Sequence, residues 1–363
     1  MITFESGELR QALKDVAPAV GKGKCGLPIL KMVRIQADAV GAKITANYLD
    51  GCIVRKIGYW QFFAEKLDIC LDFKVLHSIV SGDGITKIEF LQQETDKLNA
   101  IIQVTDNSVP VTVPSDDPSN FPEWCDVPRE LKAYDVTPAT IDSIIEMFDF
   151  TDVESNRMAT NCVFTEDGGG IAATDGHWLY LKENVNLPDG IMFKRYTKGL
   201  FKSLHGCKDL KLRFQDNEEG NIFGRRCEIA NNTISVKIKL PDGKHPNVRM
   251  VIPIRTATRQ TLLSEAKKAV ALVVKTAQKD KMPYFGIHNE KASIRSSDGV
   301  FTEIKGGVSC LRDAYFGFTF FNCDRIDSIL KAGFVNIELT SPNEPAIFRK
   351  GDGIVVLTPC RAA

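Results

Sequence analysis

The stretch Ile171-Ala-Ala-Thr-Asp175-Gly176 decides the fold of this chain, because it recurs twice more at a nearly constant distance. The earlier copy is Ile44-Thr-Ala-Asn-Tyr-Leu-Asp50-Gly51, and the later copy is Ile294-Arg-Ser-Ser-Asp298-Gly299. In each copy a strand-like run ends on Asp-Gly, a dipeptide that favours tight turns because glycine adopts positive φ without steric cost. The Asp-Gly pairs lie 125 and 123 residues apart, and a fixed period of this length predicts a chain built from repeated domains.

Amphipathic segments follow the same period. Apolar residues recur at three- and four-residue spacings over residues 71–82, 196–206 and 323–333, which predicts one helix in each repeat. Each segment ends on a glycine, a residue typical of helix C-caps, and a strand-like run follows each of them. Two independent markers therefore keep one period through the whole chain.

A further helix is predicted near the start of each repeat, at about residues 6–20, 138–149 and 258–277. The middle one has the clearest start signal. Thr137 is a good N-cap residue, and Pro138 suits the first helical position, where its missing N–H costs nothing.

Proline-rich segments near residues 114–124 and 241–253 interrupt these patterns and predict linkers between the repeats. We therefore predict an α+β chain of three similar domains, each with two helices and many short strands. The predicted domains are residues 1–126, 127–252 and 253–363.

The composition narrows the function classes. The chain carries 46 basic and 46 acidic residues, which argues against tight wrapping by nucleic acid but not against contact through one basic face. Its ten cysteines are scattered without a CxxC pair, so we expect reduced cysteines in a cytoplasmic protein, with no metal site and no cofactor. Neither a signal peptide nor a run of about 18 apolar residues occurs, so no membrane-spanning segment is expected.

Signals for catalysis are weak. No nucleophile-elbow, P-loop, zinc-protease or dinucleotide-binding motif occurs, and Gly168-Gly169-Gly170 predicts a hairpin loop. Asp175 and His177 could form an acid–base pair in a cleft, which would make the chain an α+β enzyme. Asp50 and Asp298 occupy the same turn without a histidine two positions later, so a turn role explains all three copies. The enzyme remains the alternative from another class.

Four segments, in the expected order, resemble the β subunit of bacterial DNA polymerase III, the DNA sliding clamp. Residues 26–30 (GLPIL) are similar to a segment of the family's first domain, and residues 173–177 match its ATDGH motif. Residues 239–253 resemble its KL-x-DG…P-x-x-R-x-V-x-P stretch, and residues 355–361 resemble its terminal V-V-x-P-x-R. The resemblance covers essentially the full length.

The resemblance implies the DNA clamp fold, in which each of three similar domains places two helices on an inner wall and antiparallel sheets outside. It implies a head-to-tail homodimeric ring, with contact near residues 109–113 of one copy and 271–274 of the other. Such a protein is a non-catalytic processivity factor that encircles duplex DNA without sequence preference, tethers the replicative DNA polymerase and is opened by a clamp loader. A clamp-like paralogue or viral clamp serving a repair or phage polymerase is the alternative within this class.

The resemblance also implies two groups of site residues. Basic side chains on helices and adjoining loops would face DNA: Arg10, Lys14, Lys22, Lys24, Lys194, Arg195, Lys198, Lys202, Arg259, Lys267 and Lys275. A pocket for short linear peptides of the polymerase and loader would be lined by Thr174, Gly176, His177, Trp178, Leu179, Pro246, Met250, Val251, Val356, Leu357, Pro359 and Arg361. Trp178 and Met250 stand where the family commonly has arginine, and Ala159 replaces a leucine. We therefore expect a more apolar pocket that favours a bulky hydrophobic anchor.

Overall fold

The same order of secondary-structure elements occurs three times along the chain. The protein is described by a computed structural model that covers residues 1–363 except 22–25, 60, 63–65, 93–100, 108, 156, 167, 217–223, 255–257, 279–281, 289–290, 297–299, 313–317 and 361–363.

The elements of the first repeat are β1 (Ile2–Glu5), α1 (Ser6–Val16), β2 (Met32–Ala37), β3 (Ala42–Asn47), β4 (Gly51–Ile57), β5 (Gln61–Phe62), β6 (Leu67–Asp72), α2 (Phe73–Ile79), β7 (Ile85–Gln92), β8 (Ile101–Asp106), β9 (Val109–Val113) and β10 (Ser115–Asp116). The elements of the second repeat are β11 (Ala133–Val136), α3 (Pro138–Met147), α4 (Met158–Asn161), β12 (Cys162–Glu166), β13 (Gly170–Thr174), β14 (Trp178–Lys182), β15 (Met192–Lys194), α5 (Lys198–Lys202), β16 (Leu210–Gln215), β17 (Arg226–Ala230) and β18 (Ile234–Lys239). The elements of the third repeat are β19 (Thr258–Leu262), α6 (Ser264–Thr276), β20 (Tyr284–His288), β21 (Lys291–Arg295), β22 (Phe301–Ile304), β23 (Val308–Arg312), β24 (Phe318–Asn322), α7 (Cys323–Lys331), β25 (Asn336–Leu339), β26 (Ala346–Lys350) and β27 (Gly353–Leu357).

Each repeat opens with a strand and a helix, continues with a three-stranded meander, and ends with a later helix and further strands, four in the first repeat and three in the others; the second repeat also has the short helix α4 before its meander. The meanders are β2–β4, β12–β14 and β20–β22. The strand before the second helix returns to pair with the first strand of its meander, as β6, β15 and β24 do. The α+β class and the threefold order of elements predicted from the sequence are therefore confirmed.

Two long antiparallel sheets each join consecutive repeats. One nine-stranded sheet has the order β10-β6-β2-β3-β4-β18-β17-β16-β11, and the other has the order β15-β12-β13-β14-β27-β26-β25-β19-β23. The joints are the pairs β4·β18 and β14·β27, where the last strand of a meander meets the last strand of the next repeat. Two smaller sheets have the orders β5-β1-β7-β8-β9 and β22-β21-β20-β24.

Only one of the three predicted C-cap glycines directly follows a helix end. Gly333 comes after the C-cap Ala332 of α7, has a φ of 87°, and its N–H donates to the Leu330 carbonyl at 3.1 Å. Gly82 and Gly206 also have positive φ, at 101° and 74°, but α2 and α5 are capped by Val80 and Ser203, and the two glycines lie in the turns that follow. At the start of α3, Thr137 Oγ1 accepts a 3.1 Å hydrogen bond from the backbone N–H of Thr140. These caps satisfy backbone groups that a helix end would otherwise leave without partners.

Two local predictions are wrong. The first residues of the predicted helix at 258–277 form β19, whose side chains alternate between buried and less buried positions as in a strand, and α6 begins only at Ser264. At the first Asp-Gly turn, Leu49 rather than Gly51 takes positive φ. A Cβ on Gly51 would lie 2.6 Å from Leu200 Cδ1, so glycine is needed there for close packing. The third Asp-Gly turn, at residues 298–299, lies outside the described residues.

The chain separates into two compact units, each with its own sheets and helices. The first unit consists of Met1–Asp142 and Tyr196–Asp242, and the second consists of Ser143–Arg195 and Gly243–Ala363. Within the first, α1 packs its apolar face on β3 and β4, and within the second, α6 packs against α7. Among the residues that the structure describes, none of the helices combines the length and apolar character needed to cross a bilayer. The division into three domains stays a prediction.

Candidate functional site

The Asp175–Gly176 turn in the second unit is fixed by three hydrogen bonds to one carboxylate. Asp175 Oδ1 accepts from the backbone N–H groups of His177 and Trp178, at 2.7 and 3.1 Å. Its other oxygen, Oδ2, accepts from Arg325 Nη2 at 2.8 Å, and Gly176 has a φ of 92°. Both carboxylate oxygens therefore serve the turn, and the contact with His177 goes to its backbone rather than its imidazole. This geometry favours the turn role of Asp175 over an acid–base role.

A row of side chains crosses the sheet next to this turn. Thr174 pairs with Leu179, and Leu179 pairs with Val356 of the C-terminal strand. Residues directly opposite one another in antiparallel strands share a face, so the three lie side by side. Leu179 and Val356 belong to a buried cluster that also contains Cys162, whose pKa burial raises to about 11. The floor of this part of the sheet is apolar and uncharged.

The segment from His245 to Ile252 covers part of that face. The imidazole of His245 stacks on Phe164 with ring centroids 5.3 Å apart, and Val248 is buried in the same cluster. Ile252 packs against the cluster as well. Met250 and Val251 are 81% and 55% exposed.

Two ion pairs hold this segment from its polar side. Arg249 donates hydrogen bonds to the buried carboxylate of Glu166 and, at 3.0 Å, to Glu183. We refer to Leu179, Val356, Met250 and Val251 as the apolar surface. Leu179 and Val356 are buried with Val248 beside the partly buried Ile252, whereas Met250 and Val251 are exposed in the covering segment, so these two side chains offer the accessible apolar atoms that a hydrophobic peptide anchor would need.

Trp178 lies on the opposite face of the sheet, because neighbouring residues in a strand alternate. Its ring packs on Phe150 with centroids 4.3 Å apart, and the Arg325 guanidinium lies 5.7 Å from the ring centroid. The side chain is only 8% exposed. Leu357 pairs with Trp178 and shares this face. Neither residue therefore adds to the apolar surface, although Trp178 and Leu357 were both expected to line the pocket.

The remaining predicted pocket residues belong to the turn, the covering segment or the tail. The backbone N–H and Oγ1 of Thr358 donate to the carbonyl of His177, at 3.0 and 2.7 Å, which ties the tail to the turn. Pro246 and Pro359 are partly buried, whereas Gly176 is exposed. Arg361 lies outside the described residues.

The ion pairs of Arg325 and Arg249, whose guanidinium groups hold the turn and the covering segment, were not predicted, although Arg249 is the arginine of the P-x-x-R stretch. Their carboxylate partners are far away along the chain, for example 150 residues between Arg325 and Asp175. No local pattern marks such pairs.

The basic residues predicted to face DNA divide into two kinds. Several are engaged within the protein. Arg10 donates to the Ser81 carbonyl at the end of the second helical segment. Arg195 donates to Thr151 O and Oγ1 at 2.8 and 2.9 Å, and Arg259 pairs with the buried Glu338 at 2.5 Å.

The others lie on or beside helices with their side chains at least partly accessible. Lys14 is exposed on α1, Lys202 is exposed on α5, and Lys267 and Lys275 are exposed on α6. Lys194 and Lys198 are partly buried and also have partners within the protein. Lys22 and Lys24 lie outside the described residues. In the part of the chain that the structure describes, no group of histidine, cysteine, aspartate and glutamate side chains is arranged to hold a metal ion.

This architecture defines a class of protein in which α+β repeats are joined end to end through shared antiparallel sheets.

No family model matches the sequence, and no curated protein matches it. The solved structure of a DNA polymerase III β subunit from Thermotoga maritima is 17% identical, with a TM-score of 0.82 over 100% of this chain and 99% of that one.

A DNA polymerase sliding clamp from Bacillus subtilis is 16% identical, with a TM-score of 0.82 over 100% of this chain and 99% of that one. A Helicobacter pylori β clamp bound to a DNA ligase peptide is 15% identical, with a TM-score of 0.76 and 99% of each chain covered. The chain therefore has the fold of the DNA polymerase III β subunit, as its sequence predicted.

Proposed function

We propose that the protein is a DNA sliding clamp, a non-catalytic cytoplasmic ring that encircles duplex DNA and tethers a replicative DNA polymerase. The observation that carries this proposal is the pattern of the sheets. Within the chain, the meander of one repeat pairs with the last strands of the next through β4·β18 and β14·β27. Among the described strands, β22 of the third meander and β9 at the end of the first repeat lie at sheet edges.

Pairing β22 of one copy with β9 of a second copy would create the order β24-β20-β21-β22-β9-β8-β7-β1-β5. This order repeats the pattern of the two long sheets. Because the two edges belong to opposite ends of the chain, the association would be head to tail, and two such joints would close a ring. Each joint would also cover two exposed strand edges, which otherwise invite aggregation.

A ring of two copies would contain six repeats with two helices each. With about 9–10 Å between packed helix axes and about 5 Å of helix radius, twelve helices would enclose a bore of about 26 Å. Duplex DNA would pass through with room for water and ions. Lys198 and Lys202, one helical turn apart on α5, would then make weak, screened contacts with phosphates and let the ring slide.

The first test concerns the ring. Light scattering at micromolar concentration should report twice 40.2 kDa. Thr112 and Thr302 replaced by cysteine should be linked by a short bis-maleimide between copies. Rings cross-linked in the presence of a circular plasmid should stay with it at high salt and be released when the plasmid is linearised. Equal release from both plasmid forms would contradict the proposal.

The second test concerns the DNA contacts. Exchanging Lys198 and Lys202 for glutamate should weaken retention on circular DNA at low salt, because two phosphate contacts are lost. The matched control exchanges Lys43 and Lys56, an exposed pair on β3 and β4 that carries the same charge. An equal effect of both pairs would mean that total charge, rather than the α5 surface, governs retention.

We further propose that the apolar surface binds short linear peptides of the type Gln-x-x-Leu-Phe carried by the polymerase and the clamp loader. The ligase peptide on the Helicobacter pylori clamp supports a peptide-binding role for this fold. Met250 and Val251 would contact the aliphatic–aromatic anchor, and access to the buried Leu179 and Val356 would require the segment that carries Val248 and Ile252 to shift.

A fluorescent peptide of this type should bind at micromolar strength. Val251→Asp should weaken binding at least tenfold, about 1.4 kcal/mol, because a carboxylate would have to be desolvated against the anchor. Val40→Asp is the matched control, since Val40 is 96% exposed in the first unit, and it should leave binding unchanged. Unchanged binding in Val251→Asp would contradict this site.

A further inference from the structure

A proline stands on the edge that the ring would use. In β9, Val109 pairs with Asp106 and Pro110 pairs with Thr105. Alternate pairs in an antiparallel ladder exchange hydrogen bonds, and Pro110 has no N–H to exchange with β8. The backbone of Pro110 therefore faces the open edge of β9, as does that of Thr112 two residues later.

The two joints within the chain reveal which positions are hydrogen-bonded. At the first joint, the Lys56 N–H donates to the Thr233 carbonyl at 2.9 Å. At the second, the N–H groups of Thr358 and Glu183 donate to the carbonyls of His177 and Asp352, at 3.0 and 3.1 Å. In both joints the bonded meander residues are those whose backbone does not bond to the preceding strand of the meander. In the third meander the Ser296 N–H donates to the Val300 carbonyl at 3.0 Å, so Val300, Thr302 and Ile304 bond to β21 and the backbones of Phe301 and Glu303 face the open edge.

The internal joints also limit the register. In both, the first residue after the terminal hairpin, Ile234 or Gly353, pairs with a meander residue that bonds to its own meander, so the next residue meets one that faces outward. In the same phase, Pro110 would lie opposite Phe301 or Glu303 of the second copy, both of which face the open edge.

We infer that Pro110 removes one backbone hydrogen bond from each joint of the ring, so that the copies are held together more weakly than the repeats within a chain. The inference rests on the proposed ring. At the matching positions of the internal joints, Ser235 and Ile354 each have an N–H, whereas Pro110 has none. The joint between copies is thus the preferred place for the ring to open, and Thr112 supplies the remaining outward donor of β9.

The test compares dimer dissociation constants by sedimentation at several concentrations. Pro110→Thr and Pro110→Ala both restore the N–H, and one hydrogen bond should tighten each joint about fivefold, so the dimer constant should fall about 25-fold. Thr112→Pro should raise it by a similar factor. It should still fold, because its N–H faces the open edge of β9 and no ladder bond within the chain is lost.

Unchanged dissociation in Pro110→Thr and Pro110→Ala would overturn the inference while leaving the ring intact. Tightening by threonine alone would also overturn it, since the effect would then come from the side chain. A wild-type chain that never dimerises would instead overturn the proposed ring.

Discussion

Asp106 anchors the hairpin that presents the β9 edge, and its removal gives a sharp test of the first unit. Its Oδ1 accepts hydrogen bonds from Ser6 Oγ at 2.7 Å and from Thr86 Oγ1 at 2.6 Å. Its Oδ2 accepts from the backbone N–H of Ser81 at 3.0 Å. The carboxylate is buried, and it joins the start of α1, the loop after α2 and the strands β7 and β8.

We expect Asp106→Asn to destabilise the first unit by about 2–4 kcal/mol at pH 7. An asparagine oxygen can keep the bonds from Ser6 and Thr86, but without the charge each loses about half of its strength. The amide NH2 group would meet the Ser81 N–H, which leaves a buried donor without a partner at a cost of about 1–3 kcal/mol. Asp83→Asn is the matched control, because Asp83 is exposed in the same loop region, and it should change stability by less than about 0.5 kcal/mol.

The effect should depend on pH. Burial alone would raise the pKa of Asp106, but hydrogen bonds from Ser81, Thr86 and Ser6 outweigh it and hold the pKa below its ordinary value. A depressed folded-state pKa gives stability that is complete above the unfolded pKa, about 3.9, and is lost as the pH falls through the folded value. Urea denaturation followed by circular dichroism, with hydrogen exchange of residues 101–106, should therefore show the full deficit at pH 7 and a smaller one as the pH falls below about 3.9. A deficit that does not shrink on acidification would refute this reasoning.

Three further outcomes can be checked on the purified protein. Iodoacetamide should label Cys125 in the native protein, because Cys125 is partly exposed, and should spare Cys227, which is fully buried and whose thiol pKa burial raises. Mass spectrometry of the digest measures both, and faster labelling of Cys227 would contradict this expectation. Thr137→Ala should cost about 1 kcal/mol in urea denaturation, because α3 loses its N-cap. Gly82→Ala and Gly206→Ala should each destabilise the protein by about 1 kcal/mol, because both glycines have positive φ. Gly82→Ala should lower the melting temperature more, because its Cβ would lie 3.0 Å from Arg10 Cδ, and equal thermal shifts would contradict this order.

Local features of the fold could be predicted from the sequence because each is encoded within a few residues. The C-terminal cap at Gly333 is an example, as is the N-cap at Thr137. The strand β19 was missed because five residues of alternating apolar and polar character directly before a helix are difficult to distinguish from the first turn of that helix. The joints β4·β18 and β14·β27 could not be derived from periodicity, since they pair strands more than 170 residues apart.

The candidate site could be predicted only in part, for a related reason. The Asp175 turn and the row through Leu179 and Val356 follow from motifs that resemble a known family. The ion pairs of Arg325 and Arg249, which fix that turn and the segment over the row, depend on partners far away along the chain.

The orientation of Trp178 changes how the altered residues of this site should act. From the sequence, tryptophan and methionine in place of two arginines predict a pocket with more apolar surface. In the structure the indole packs on Phe150 beneath the sheet, beside the guanidinium of Arg325. Met250, which is 81% exposed, is then the one of these two substitutions that a ligand on the apolar surface would meet. Any preference for a bulkier hydrophobic anchor should therefore follow Met250, whereas the contribution of Trp178 should be to hold the turn that carries His177.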